Sequence, residues 1–173
     1  MVELKKEAVK DVTTLSKAAP VALAKTKEVL NQAVADLYVA HIALHQVHWY
    51  MRGRGFLTLH PAMDKLMDEI NEQLDEVSER LITIGGAPYS TLREFADNTK
   101  IQDIPASYER SIDEWVRHLL VGYEYLRGLY QEGLETAGEE GDDVSQDICI
   151  GFKGDIEKLI WMLRAHLNEA PGI

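Results

Sequence analysis

Residues 21–51 contain neither glycine nor proline. Across that span Leu23, Val29 with Leu30, Val34, Leu37, Ile42 with Leu44, and Val47 recur every three to four positions. That period belongs to a long amphipathic helix, whose apolar stripe must be buried against further elements.

The rest of the chain repeats the pattern. Gly53 and Gly55 interrupt the first helix, and Pro61 suits the first turn of a second, where its missing N–H has no helical partner to lose. The second helix runs to about residue 84 and ends at Gly85 and Gly86, which accept a left-handed cap. Thr91 and Glu94 have capping-box spacing, predicting a short helix over 91–97. A third long helix starts near Ser107, passes through Trp115, Leu119, Tyr123, Leu126 and Leu129, and frays before Gly138. After the acidic turn 139–143 a fourth carries Ile148, Phe152, Ile156, Leu159, Ile160, Leu163 and Leu167. Four long helices without a convincing strand predict an all-α four-helix bundle. The connections before and after the long crossover are short, which favours antiparallel neighbours; one long crossover is the ferritin-like arrangement. The expected organisation is an N-terminal tail over 1–20 and a bundle domain over 21–173.

A chain of 173 residues buries a core without staples, so a cofactor is optional for folding. A net charge of −11 argues against a general nucleic-acid binder and leaves carboxylates available for cations. Cys149 is the single cysteine and sits among Ile148, Ile150 and Phe152, which reads as core packing. Residues 1–10 lack an apolar signal-peptide core, and no stretch reaches the length of a membrane span. The expectation is a cytoplasmic protein with no membrane partner.

His48, His60, Asp64, Asp75 and Glu79 make a spaced set of metal-ligand side chains. Asp64 and Asp75 are 11 residues apart, which on one helix is roughly 16 Å of axial rise. No single small centre spans that distance, although three turns return both residues to nearly one face. The five could converge only where two copies of the helix meet antiparallel across a symmetry axis. Glu-x-x-His pairs, which an intrachain di-iron bundle requires, are absent: Tyr38, Ile42, His45, Leu57, Trp115 and Leu163 stand three before the six histidines. Two imidazoles with carboxylates suit Fe(II), Mn(II) or Zn(II) alike. Against this stands a plainer reading, since Asp68 and Glu72 share the side of Asp64 and Asp75, and such a row also describes a solvated face.

The run His48-Trp49-Tyr50-Met51-Arg52-Gly53, followed by Phe56, His60, Asp64, Asp75 and Glu79-Arg80, resembles the signature of the Dps family, the mini-ferritins, and within it the peroxide-resistance branch. The resemblance implies a hollow dodecamer with ferroxidase centres at its two-fold interfaces. His48, His60 and Asp64 would come from one subunit, Asp75 and Glu79 from its neighbour. It further implies oxidation of Fe(II) by hydrogen peroxide in preference to dioxygen, storage of ferric mineral in the cage, and suppression of hydroxyl radical, with zinc or manganese as competitors for iron. Trp49 would lie near the metals and intercept stray oxidising equivalents; otherwise it is an ordinary core aromatic. His41 and His45 share a stripe with His48, either as a second cation site or as stacked polar side chains. Asp143 and Asp147 complement the positive end of the fourth helix, and in this family that region lines acidic pores for iron entry.

Some Dps proteins bind DNA through a lysine-rich tail. Here Lys5, Lys6, Lys10 and Lys17 face Glu3, Glu7 and Asp11 within the first 20 residues, a poor electrostatic anchor on an acidic protein. This argues against direct DNA binding, and against the alternative of a nucleoid-associated protein that shields DNA by contact. A metal-free helical scaffold is the remaining alternative.

Overall fold

The computed structural model describes residues 22–172; the tail over 1–20, with the lysines on which DNA binding would depend, lies outside them. Five helices follow in order: α1 Ala24–Tyr50, α2 Phe56–Thr83, α3 Leu92–Asn98, α4 Ile112–Glu140 and α5 Asp143–His166. Among the described residues there is no strand. The long helices pair as α1 with α2 and α4 with α5, and α1 packs on α4, with α3 lying against α1 in the crossover.

Each boundary has a local cause. At the start of α1 no side chain of Leu23 caps the helix; instead Glu140, at the end of α4, accepts from the amides of Lys25 and Thr26 at 3.2 and 2.9 Å. The acidic turn expected over 139–143 is therefore shorter, because α4 runs through Gly138 to Glu140 and Gly141 closes it with a φ of 74°. The onset of α4 is Ile112 rather than Ser107: Ser111 and Glu114 form the capping box, whereas Ser107 only accepts from the Glu109 amide. In α2 the onset is Phe56, so Pro61 lies inside the helix instead of in its first turn. Pro61 withholds one bond from the carbonyl of Leu57, a residue 86% exposed. The short helix forms as expected, with Thr91 and Glu94 completing its capping box.

The core is built from Leu30, Val34, Leu37 and Leu44 of α1, Ile70, Val77 and Leu81 of α2, Trp115 and Leu126 of α4, and Ile156 and Ile160 of α5. Each fully buried aliphatic side chain contributes roughly 1.5–3 kcal/mol. Ile42, expected in the stripe of α1, is exposed instead. Cys149 is buried as core packing predicts, and burial, followed by the nearby Asp142 carboxylate, pushes its thiol up to about 12.

Asp36 was an unmarked acid within an apolar run, and it is fully buried. Its carboxylate accepts from Gln32, the Thr99 hydroxyl, the Lys100 amide and the Tyr125 hydroxyl at 2.7–2.9 Å. These bonds fasten the segment just after α3 in the crossover to α1 and α4.

Candidate metal centre

The loop after α1 turns on Gly53 and Gly55, with φ of 110° and 96°, and feeds directly into α2. That tight return brings the last turn of α1 against the first turns of α2. The rings of His48 and His60 stack with centroids 3.7 Å apart, and Phe56 also stacks on His60, at 4.8 Å. Each histidine binds the other's backbone: His48 Nδ1 lies 3.2 Å from the His60 carbonyl, and His60 Nδ1 lies 3.1 Å from that of His48. A proton on each Nδ1 makes both contacts donor to acceptor and leaves each Nε2 with a lone pair for a cation. Asp64, one turn beyond His60, approaches His48 Nδ1 at 3.5 Å and is otherwise exposed.

Asp75 and Glu79 occupy later turns of α2 and are exposed. Among the described residues no three histidine, cysteine or acidic groups converge to hold a metal ion within one chain. The structure thus gathers His48, His60 and Asp64 at one end of α2 and leaves Asp75 and Glu79 apart from them. A groove of about 460 Å³ beside α2 faces α5 and has Glu69, Glu72, Glu76 and Asp155 in its lining; none of the five candidates borders it.

Trp49 is 62% exposed, so it is no core aromatic within the single chain. It stacks on His45 at 4.9 Å, and His45 meets His41 edge-on at 4.8 Å.

A ferritin-like domain model matches residues 27–173. The chain is 54% identical over 149 residues to a "DNA protection during starvation protein" of Streptococcus suis, covering 86% of this chain and 87% of the relative. A protein of the same description from Listeria innocua is 48% identical over 146 residues, 84% of this chain and 94% of the relative. The chain belongs to the Dps family of ferritin-like proteins.

Solved Dps structures share the fold closely. Dps from Listeria monocytogenes superposes with a TM-score of 0.83 at 48% identity, over 84% of this chain and 95% of that one. Dps from Listeria innocua soaked with zinc gives 0.82 at 48%, over 84% and 98%. No described helix of this Dps-family chain is long and apolar enough to cross a membrane.

Sequence reasoning named Arg80 only as part of the family signature and missed its partner. Its guanidinium binds the Asp142 carboxylate and, through Nε, the Ser145 hydroxyl at 2.8 Å. Asp142 in turn caps α5, accepting from the Ser145 amide at 3.2 Å and hydroxyl at 2.6 Å. Burial tends to raise the Asp142 pKa, but the two Ser145 bonds and then Arg80 outweigh it and hold the carboxyl below its usual value. The pair links the turn bearing Glu79 to the start of α5, where Asp143 and Asp147 stand exposed. The available signal was Asp142-x-x-Ser145 at a helix start.

Proposed function

We propose that this chain is an iron-storing ferroxidase whose centres are each completed by two subunits of a hollow dodecamer. The observation that carries it is the half-site: His48 and His60 stacked beside Asp64, while Asp75 and Glu79 are displaced from Asp64 along the same helix by roughly 16 and 22 Å. Two antiparallel copies of α2 would set the carboxylates of one against the imidazoles of the other. Exposed Trp49 and Leu57 beside these groups, 62% and 86% accessible, give that face an apolar component suited to a subunit contact.

Fe(II) is the substrate. The imidazoles and carboxylates bind it, and hydrogen peroxide is the preferred oxidant over dioxygen. One peroxide takes one electron from each of two Fe(II) and, with two protons, leaves as two waters, so no hydroxyl radical is released. Fe(III) then mineralises inside the cage, and zinc or manganese competes for the same mixed nitrogen and oxygen donors. Asp143 and Asp147 would line an entry path for Fe(II), and exposed Trp49 would accept stray oxidising equivalents near the centre. The description of relatives as protecting DNA fits removal of iron and peroxide without DNA contact; a salt-sensitive gel shift at physiological ionic strength would overturn that part.

The test is anaerobic Fe(II) loading followed by peroxide in stopped flow. His60→Ala and Asp75→Ala should each abolish the rapid oxidation phase, and an unchanged rate in either rejects the centre. Asp143→Asn with Asp147→Asn should slow uptake into the assembled protein while the centre still binds metal.

A further inference from the structure

One turn and two turns before His48, α1 carries another pair of imidazoles. His41 and His45 share a face of the helix, with ring centroids 4.8 Å apart at 71°. Both are half-buried, and among the described residues neither makes a side-chain hydrogen bond or ion pair. His45 Nδ1 is buried without any partner, whereas buried polar atoms are ordinarily satisfied. The Trp49 indole, stacked on His45 with centroids 4.9 Å apart, packs against the ring plane. Burial and then the neighbouring His45 lower the His41 pKa, while Asp68, across on α2, pulls it the other way. The pair therefore offers imidazole nitrogens fixed on one helix face, one of them buried without a partner, with a carboxylate close by.

We propose that His41 and His45 form a second cation site, separate from the His48 and His60 pair, for a borderline divalent ion of the Zn(II), Co(II) or Cu(II) class, with Asp68 as its carboxylate partner. Imidazole donors select that class over Mg(II) and Ca(II), which require oxygen. Four-residue spacing fixes both nitrogens on one rigid helix, so chelation orders little that is not already ordered. Among the described residues of one chain no three donor groups converge. The two histidines thus supply the fixed donors, and movement of the exposed Asp68 side chain, with water, completes the shell.

The experiment is Zn(II) calorimetry and Cu(II) paramagnetic resonance on assembled protein carrying His60→Ala and Asp75→Ala, in which the proposed ferroxidase centre is already disabled. Failure here is thereby distinguishable from failure of the ferroxidase reading. A Zn(II) binding step should persist in that background and vanish when His41→Ala and His45→Ala are added. The Cu(II) spectrum should lose its imidazole nitrogen couplings together with it. Asp68→Asn should weaken the step about tenfold or more. Should the added pair of substitutions prevent assembly, His41→Gln alone decides, since it removes the two-imidazole chelate and should weaken the step at least about tenfold. Zn(II) binding of unchanged stoichiometry and affinity in the decisive variant overturns the site.

Discussion

A carboxylate taken out of water keeps its charge only where donors replace the lost hydration, and Asp36 and Asp142 are the buried acids among the described residues. Asp36 has four donors from three parts of the chain. Asp36→Ala leaves the Tyr125 hydroxyl and Lys100 amide without their acceptor and should cost about 3 kcal/mol in urea unfolding at fixed protein concentration. The same substitution should also raise hydrogen exchange across the crossover first, because that segment loses its anchor. For Asp142 the expected signature is a pH dependence. Its folded pKa is depressed, so its contribution is fully present above the ordinary carboxylate value of about 3.9 and is lost as pH falls through the lower folded value. Arg80→Ala, which strands a carboxylate whose side chain is 4% exposed, should cost about 3–5 kcal/mol at neutral pH. That cost should shrink below about pH 4 as Asp142 takes up a proton. A cost independent of pH would mean that Arg80 acts by packing alone.

At the level of elements, the register of the bundle depends on close approaches that only small residues permit. Gly133 of α4 lies where an added Cβ would meet Cys149 Sγ of α5 at 2.8 Å and Val29 of α1 at 3.4 Å. Gly133→Ala gains helix propensity of about 1 kcal/mol, yet the forced separation of α4 and α5 should make it destabilising by about 1–3 kcal/mol overall. Cys149→Ala in the same chain should recover part of that loss, and additive effects in the double-mutant cycle would reject the contact. How far such features were legible in the sequence depends on their range. Helix periodicity and the capping box of Thr91 with Glu94 are local, and they place the long helices and α3 correctly. The onset of α4 was equally readable: Ser111 has Glu114 three residues on, whereas Ser107 has Arg110. Pro61 misled because its preference for a first turn is statistical, while Gly55 with φ of 96° starts α2 earlier. The capping of α1 by Glu140 joins residues more than a hundred positions apart, and no local pattern announces it. At the candidate centre the residue types and spacing were visible, but the reciprocal backbone bonds of His48 and His60 depend on a loop path that sequence does not specify.

For the whole molecule the decisive property of the proposed arrangement is that the five candidate ligands, all present in one chain, do not converge within it among the described residues, which makes the unit of function testable by mixing. Consider subunits bearing His60→Ala and subunits bearing Asp75→Ala, each inactive alone under the proposed arrangement. A two-fold interface is isologous, so every pair of subunits builds two equivalent centres from opposite halves. In a mixed pair, one centre takes its histidines from the first variant and its carboxylates from the second, and is doubly defective. Its mate takes intact histidines and intact carboxylates, and is whole. Dissociating the two variants, combining them in equal amounts and reassembling should therefore restore about a quarter of the rapid peroxide-dependent oxidation, since half the pairs are mixed and half their centres complete. A centre contained within one chain would give no recovery at any ratio. Mixing the assembled variants without dissociation should also give none, which separates exchange of subunits from any soluble effect. Recovery that peaks at the equal mixture and falls off on both sides would make assembly itself a condition of catalysis, as a half-site on each monomer requires.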